Sequence, residues 1–281
     1  MLSLISRAWN SLRHLHGCWR ATRRFKDYRP QPVTLESARK WLRQFKQEDR
    51  LAVLRLLGHV IYLSQEETEK QLIQHNEELL ARLRSSNIPP KKIIYMQIHD
   101  PGSSSPVMLN MLRDGAHLEH KGFHFVDYKN VRELNKLTNE LEQGAIIYVD
   151  DFAGTGNQFG EVRDFVAEYI VGNFAEFFLL PSICEEALRA LDERGVEAVS
   201  GLVHHRAERP LHPESTILDH ATKTRLTDLC YQMDEKGGLG YRGLATMVVL
   251  YRNAPNTVPV ILRGSKKQKH VGILPRTTDF S

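Results

Sequence analysis

Two adjacent aspartates followed by a loop of small residues form the part of this sequence best suited to chemistry. Asp150 and Asp151 close an apolar segment, and the loop then enters a helical pattern. Ligands collect beyond the carboxyl ends of parallel strands. Unpaired N–H groups and the helix dipole both favour an anion at a helix N-terminus. The loop adds two glycines, which allow a phosphate to approach closely, and three side-chain donors: Gly154, Thr155, Gly156, Asn157 and Gln158.

The two carboxylates do not suit the phosphate itself, because they would repel it. They suit ribose hydroxyls beside the phosphate, or a Mg²⁺ ion that bridges to a diphosphate. We therefore predict a site for a phosphorylated ribose, with Asp150 and Asp151 as its catalytic and metal-binding residues. A strand-end turn whose acids only cap the next helix is the simpler alternative, but capping needs one acid and no pair of glycines.

The remaining pattern predicts the elements that position this loop. Apolar spacing from Thr34 to Arg84 indicates three helices. After Pro90 strands and helices alternate, and this alternation predicts an α/β fold with a doubly wound, mostly parallel sheet. Four segments follow from these patterns: a basic N-terminal segment (1–33), a helical region (34–88), an α/β domain (89–263) and a flexible tail (264–281).

Composition bounds the class of protein. The chain has 281 residues, 41% hydrophobic and 26% charged, which excludes a disordered protein and fits one large domain or two small ones. Cys18, Cys184 and Cys230 are widely spaced and lack a Cys-x-x-Cys pair, so we expect no disulfide framework and a cytoplasmic location. No apolar run approaches the roughly 20 residues of a membrane helix, and we expect no membrane contact.

The first 26 residues are strongly basic and contain no acid. The rest of the chain is slightly acidic, so its body is not a basic nucleic-acid-binding surface. Three interpretations of the N-terminal segment stay open: a solvated basic helix, a helix that docks on a protein or nucleic-acid partner, and a mitochondrial transit peptide removed before Asp27.

The letters Asp-x-Phe-Ala-Gly-Thr-Gly also resemble the first motif of Rossmann-like methyltransferases, whose loop approaches S-adenosylmethionine. That interpretation requires an acid at the end of the next strand. Here the predicted strand at 177–180 runs into Pro181, and the first acid after this strand is Glu185. The glycine loop also follows the third strand of the alternation rather than the first. We therefore consider a methyltransferase less well supported by the sequence than a protein that binds a phosphorylated ribose.

The loop resembles the phosphoribosyl pyrophosphate loop of type I phosphoribosyltransferases. More narrowly, residues 35–263 resemble a bacterial phosphoribosyltransferase-like family of conflict and antiphage systems, including some retron cassettes. Four blocks in order carry this resemblance: Trp41 to Phe45, the VDDFAGTG loop, Leu239 to Tyr241, and Asn253 to Pro259.

The resemblance implies a type I phosphoribosyltransferase fold. It also implies that the protein uses Mg²⁺ and transfers a phosphoribosyl group to an unidentified acceptor, and that two copies form a homodimer. Asp150 and Asp151 would bind the ribose hydroxyls directly or through Mg²⁺, and the loop from Gly154 to Gln158 would wrap the 5′-phosphate. Asn253 and Asn256 would border the pocket of the second substrate. The loop after the first strand would bind pyrophosphate through four residues: Gly102, Ser103, Ser104 and Ser105.

One departure from the family pattern leaves a second function open. The loop after the first strand reads Asp-Pro-Gly-Ser-Ser-Ser and lacks the basic residue that such proteins usually carry there. Charge compensation for pyrophosphate is then weaker. The alternative is a nucleotide-sensing or partner-binding domain of the same fold, which would act in a defence system without turnover.

Overall fold

The computed structural model describes residues 2–100, 103–265 and 270–276. The helices are α1 (Leu2–Arg24), α2 (Leu35–Arg43), α3 (Arg50–Gly58), α4 (Gln65–Ser85), α5 (Ser104–Gly115), α6 (Val131–Leu141), α7 (Asn157–Ala167), α8 (Glu185–Asp192), α9 (His220–Met233) and α10 (Val260–Arg263). The strands are β1 (Ile61–Leu63), β2 (Ile93–Gln97), β3 (His124–Asp127), β4 (Gln143–Val149), β5 (Phe152–Ala153), β6 (Asn173–Leu179), β7 (Ser182–Cys184), β8 (Val196–Val199), β9 (Leu202–His204), β10 (Val248–Leu250), β11 (Gly264–Ser265) and β12 (His270–Val271).

The chain separates into two compact units. The terminal unit consists of Met1–Gln65 and His205–Ser281, and the sheet unit consists of Glu66–His204. These units divide the chain differently from the four predicted segments, because α4 belongs to the sheet unit and residues after 204 join the N-terminal helices. The four segments stay a prediction. Within the described ranges, no helix is both long and apolar enough to cross a membrane.

The sheet unit contains a five-stranded parallel sheet in the order β3-β2-β4-β6-β8. Residues 144–149 of β4 are all buried, which explains their unbroken apolar run. Because side chains alternate along a strand, Ile147 packs with α4 and α5 on one face, whereas Ile146 and Tyr148 pack with α6, α7 and α8 on the other. Helices on both faces confirm the predicted doubly wound α/β fold.

A smaller parallel sheet continues three strands of the large one. Its order is β5-β7-β9, and each member begins after a two-residue break that follows β4, β6 or β8. The apolar pattern of residues 196–203 predicts a single strand, and this prediction is wrong: the stretch is β8 and β9 with a break at Ser200 and Gly201. A Cβ at Gly201 would lie 2.2 Å from Nε2 of His75, so a side chain there would displace the imidazole of His75. The equivalent break after β4 is Asp150 and Asp151.

The strand order creates a crevice where β2 and β4 lie side by side. The chain leaves β2 for β3 on one side, and later leaves β4 for β6 on the other. Such a reversal of direction is the topological switch point at which parallel sheets bind ligands, just beyond the carboxyl ends of the strands. The residues that follow β2 and β4 are therefore the candidates for the site.

The terminal unit has its own core, built from α1, α2, α3, α9 and a parallel pair of β1 with β10. Thr34 caps α2 as predicted, because its side chain accepts a hydrogen bond from the amide of Ser37. The buried indole of Trp41 donates to the carbonyl of Ile261 at 2.8 Å. This bond ties the first block of the family resemblance to the residues just after the last block.

Part of the predicted flexible tail packs against the terminal unit. Ile273 and Leu274 are buried in the core of the terminal unit, and the hydroxyl of Tyr28 donates to the carbonyl of Pro275 at 2.6 Å. A short antiparallel pair of β11 and β12 leads into this segment. Residues 266–269 and 277–281 of the predicted tail lie outside the described residues.

The blocks at Leu239 to Tyr241 and at Asn253 to Pro259 pack against each other. The amide of Tyr241 donates to the carbonyl of Asn256 at 2.9 Å, and the buried hydroxyls of Thr246 and Thr257 lie 2.7 Å apart. Gly240 makes this close approach possible because its backbone has φ +83° and ψ −178°. Residues that carry a side chain rarely adopt this conformation. These blocks therefore build the core of the terminal unit.

We expect Gly240→Ala to lower the free energy of unfolding by about 3 kcal/mol. Its Cβ would lie 2.2 Å from the carbonyl oxygen of Thr257, in addition to the unfavourable backbone. Gly243→Ala is the matched control, because Gly243 also has a positive φ but faces open space; about 1 kcal/mol is expected there. Urea unfolding of both variants measures the difference, and equal losses would contradict the packing role.

Candidate functional site

Asp150 is the more buried of the two predicted acids. It is 4% exposed, and its amide continues the pairing of β4 with β6 by donating to the carbonyl of Leu179 at 3.2 Å. Its Oδ1 accepts a hydrogen bond from the amide of Asp151 at 2.8 Å. Asp151 is only half-buried. The pair therefore has an inner member that is held in place and an outer member that a ligand can reach.

His99 faces the inner aspartate across the switch point. It lies two residues after the end of β2, and its Nδ1 lies 3.4 Å from Oδ2 of Asp150. Burial lowers the pKa of His99, although the charges of Asp151 and Asp100 act in the opposite direction. The buried Nε2 has no hydrogen-bond partner among the described residues. We did not predict His99 from sequence, although its position after the first strand of the alternation is a signal that could have found it.

The glycine loop joins β4 to α7. Gly156 has φ +75° and precedes α7, and its carbonyl accepts the first helical hydrogen bond, from the amide of Gly160 at 2.8 Å. A Cβ at Gly156 would lie 3.0 Å from Cβ of Ala190 in α8. No side chain caps α7 and no acid occupies its first turn. Its N-terminal amides thus suit an anion, as predicted from the residue types.

The remaining predicted loop residues lie around this helix start. Gly154, Thr155 and Asn157 are half-buried, and Gln158 is exposed. The amide of Asn157 lies 3.4 Å from Oγ1 of Thr155. The structure therefore brings the loop donors to the same strand end as Asp150.

A partly buried ion pair anchors α7 to the sheet. Nη2 and Nε of Arg163 donate to the two carboxylate oxygens of Glu176 in β6, at 2.7 and 3.2 Å. The hydroxyl of Tyr148 donates to the same carboxylate at 2.7 Å. Burial and the charge of Glu176 raise the pKa of Tyr148 well above its usual value. This anchor fixes the helix whose N-terminus closes the glycine loop.

The serines of the loop after β2 differ in burial. Gly102 lies outside the described residues, and Ser103 and Ser104 are half-buried at the start of α5. Ser105 is fully buried instead. Its Oγ accepts from the amide of Ile98 at 2.8 Å and donates to the carbonyl of Val149 at 2.6 Å. Ser105 therefore ties the ends of β2 and β4 together through its hydroxyl, and its predicted role in binding pyrophosphate stays a prediction.

We expect Ser105→Ala to reduce the free energy of unfolding by about 2 kcal/mol, because a buried amide and a buried carbonyl both lose their partner. Ser103→Ala is the matched control. Its hydroxyl bonds the carbonyl of Asp100 near the surface, so the expected loss is about 0.5 kcal/mol or less. Thermal and urea unfolding measure both changes. Equal stabilities for the two variants would contradict the structural role of Ser105.

A lysine lies beside the loop after β2, although the loop has no basic residue of its own. Lys129 follows β3 and pairs with Asp100, which also accepts a hydrogen bond from the hydroxyl of Tyr128 at 3.2 Å. Lys129 is the first cause of a lowered pKa at Asp100, and Asp100 in turn raises the pKa of Lys129. A lysine thus lies beside the loop, but the carboxylate of Asp100 in the loop offsets its charge.

The two asparagines predicted at the second-substrate pocket belong to the terminal unit. Asn253 is half-buried, and Asn256 is exposed with its carbonyl bonded to Tyr241. Their part in a substrate pocket stays a prediction.

The donor set at the strand end fits a hard cation. Asp150 and Asp151 provide carboxylate oxygens, which Mg²⁺ prefers, and Mg²⁺ commonly takes one or two carboxylates and completes its shell with water and substrate phosphates. Among the described residues no group of three His, Cys, Asp or Glu side chains is placed to hold a metal. The residues therefore fit a Mg²⁺ ion that arrives with a phosphorylated ligand.

Comparison with known proteins places this geometry in context. The family model PRTase-CE matches residues 38–276, which include parts of both units. No curated protein matches. Among solved structures, the chain is similar to an orotate phosphoribosyltransferase from Aeropyrum pernix, with 14% identity over 45% of this chain and 67% of that chain and a TM-score of 0.30. A hypoxanthine phosphoribosyltransferase from Staphylococcus aureus gives 13% identity over 49% and 75%, with the same TM-score.

Proposed function

Because the chain belongs to the PRTase-CE family, a phosphoribosyltransferase-like family, we propose that it binds phosphoribosyl pyrophosphate with Mg²⁺ and transfers the phosphoribosyl group to an acceptor. One observation carries the proposal. At the switch point, the carboxylates of Asp150 and Asp151 lie directly before a glycine loop that opens an uncapped helix. Carboxylates that can accept hydrogen bonds from ribose hydroxyls thus lie next to a helix N-terminus that can bind a phosphate. A phosphorylated ribose requires both of these groups.

Each part of the site has a defined task in this proposal. The half-buried Asp151 binds the ribose hydroxyls, and the buried Asp150 fixes the backbone of Asp151 through the bond to its amide. The amides from Gly154 to Asn157 bind the 5′-phosphate. When bound, Mg²⁺ neutralises the charge of the diphosphate, and the two aspartates are the residues that would hold it.

The proposed reaction replaces one bond at the ribose C1. The bond from C1 to the pyrophosphate oxygen breaks, and its electron pair leaves with pyrophosphate. A lone pair of the acceptor then forms the new bond to C1. Positive charge builds up on the ribose in between, and the carboxylates of Asp150 and Asp151 stabilise it electrostatically. Orientation of both substrates by the site supplies a further part of the rate.

The pairing of Lys129 with Asp100 favours a second candidate function. A lysine that is already paired compensates less of the charge of pyrophosphate than a free one. A domain that binds the nucleotide as a signal, without turnover, would tolerate this. The role of such a domain or enzyme as a defence effector, and its cytoplasmic location, stay predictions.

Pyrophosphate release separates the two candidates. Phosphoribosyl pyrophosphate and Mg²⁺ are incubated with the full chain and a panel of acceptors that contains free purine and pyrimidine bases, nucleosides and oligonucleotides. A transferase releases pyrophosphate with at least one acceptor, and Asp151→Asn does not. Binding of phosphoribosyl pyrophosphate with no release from any acceptor would favour the sensing domain.

A further inference from the structure

Helix α1 carries positive charge that the proposed transferase site does not use. Arg13, Arg20 and Arg23 are exposed on α1, and Arg55 is exposed on the neighbouring α3. Residues 1–37 lie outside the range that the family model matches. The α1 part of this surface thus lies outside the matched range, whereas Arg55 of α3 lies within it.

A groove runs where α1 crosses α3. A Cβ at Gly17 would lie 2.8 Å from Cδ1 of Leu54, so glycine at this position lets the two helices touch. Two cavities of about 550 and 480 Å³ share Gly17, Leu54 and Arg20 in their walls, and they extend toward opposite ends of α1. We call this feature the α1–α3 groove. None of the described residues that line it is acidic.

The positive charges of Arg20, Arg23 and Arg55 in the groove are poorly neutralised by the described residues. Arg20 and Arg23 form no ion pair with the described residues, and Arg55 reaches Asp219 only through an exposed contact of 3.7 Å; such contacts contribute little. Burial lowers the pKa of Arg24, and Arg20 lowers it further. The guanidinium groups therefore repel one another, and this repulsion favours the binding of a partner with several negative charges.

Trp19 gives the groove a stacking surface. Its side chain is 47% exposed, and it lines the larger cavity. The guanidinium of Arg23 lies 4.9 Å from the centre of the indole, and the ring of His16 lies 6.1 Å from it at an angle of 32°. An exposed aromatic ring among arginines is the arrangement that binds single strands, because every base has a π face.

The packing of α1 selects among anionic partners. A helix that lies on a membrane surface needs a broad free apolar face. Cys18, Ala21 and Phe25 are buried in the core of the terminal unit, and the exposed apolar side chains of the described part of α1, Leu12, Leu15 and Trp19, are flanked by the exposed Arg13, Arg20 and Arg23. An acidic peptide would pair with the arginines but would leave the indole unused. We propose that the α1–α3 groove binds single-stranded nucleic acid, with phosphates on Arg20, Arg23 and Arg55 and a base stacked on Trp19.

Fluorescence anisotropy with the full chain tests the proposal. The probes are labelled RNA and DNA strands of mixed sequence, roughly 12 nucleotides long. Saturable binding that weakens with salt is expected, with a logarithmic slope of about −2 for three phosphate contacts. Arg20→Ala/Arg23→Ala should reduce this slope by about 1 to 1.5. Trp19→Ala should weaken binding about tenfold and leave the slope unchanged.

Arg132→Ala/Lys136→Ala is the matched control, since it removes the same charge from the exposed surface of α6 in the sheet unit. It should leave affinity and slope unchanged, and circular dichroism checks that all variants retain their helices. An equal loss in this control would overturn the proposal. So would a lack of saturable binding to both strands, or preferential binding of phosphatidylserine vesicles or polyglutamate, which serve as the membrane and acidic-peptide probes.

Discussion

Asp151→Asn is expected to weaken binding of phosphoribosyl pyrophosphate with Mg²⁺ about 100-fold, because a charged acceptor of the ribose hydroxyls becomes neutral. Asp151 is the half-buried member of the pair and therefore the one to which we assign the contact with the ribose in the proposed function. The fold should survive, since the bond to Oδ1 of Asp150 uses the backbone amide of residue 151, which the variant keeps. Isothermal titration measures the affinity, and thermal unfolding checks the fold.

Glu161→Gln provides the control for this loss. It removes the same charge from an exposed position of α7 that is not part of the proposed site, so its dissociation constant should stay within about threefold of the wild-type value. If Asp151→Asn also stayed within that range, the ligand would not use the acidic pair. The assignment of Asp151 would then be wrong.

Gly156→Ala is expected to weaken the same binding about tenfold and to lower the free energy of unfolding by about 2 kcal/mol. The residue has φ +75°, which disfavours any side chain, and the added Cβ would lie 3.0 Å from Cβ of Ala190 and 3.3 Å from Cα of Ala187. Relief of this contact moves the loop away from α8. The amides that bind the 5′-phosphate are displaced with it.

Gly195→Ala separates backbone strain from displacement of the loop. Gly195 has φ +69° in the same unit, and a Cβ there would meet nothing within 4 Å. We expect a stability loss of about 1 kcal/mol and an unchanged affinity. Titration and urea unfolding of both variants give the comparison. Wild-type affinity in Gly156→Ala would contradict the proposed contact between the loop and the phosphate.

The sheet unit could be predicted from the sequence because its signals are local. The unbroken apolar run of β4 indicates a strand covered on both faces. The alternation of strands and helices indicates that the strands run parallel to one another. The same logic placed Asp150 at a strand end. The break between β8 and β9 was missed because a two-residue interruption does not disturb an apolar pattern.

The features that could not be predicted from the sequence depend on contacts between residues far apart in the chain. β1 has only three residues, too few for a period to be visible, and its partner β10 lies far away in the sequence. Ser105 looked like a ligand-binding serine, since only the fold shows that Ile98 and Val149 occupy its hydroxyl. His99 was missed for a related reason: its proximity to Asp150 requires β2 and β4 to be neighbours.

The most direct test of the central claim is a calorimetric titration of the full-length wild-type chain with phosphoribosyl pyrophosphate, with and without Mg²⁺, and with S-adenosylmethionine as the comparison ligand. Our account predicts saturable binding of phosphoribosyl pyrophosphate that is strengthened by Mg²⁺, and no binding of S-adenosylmethionine. Binding of S-adenosylmethionine alone would contradict the assignment of the acidic pair and its glycine loop to a phosphorylated ribose.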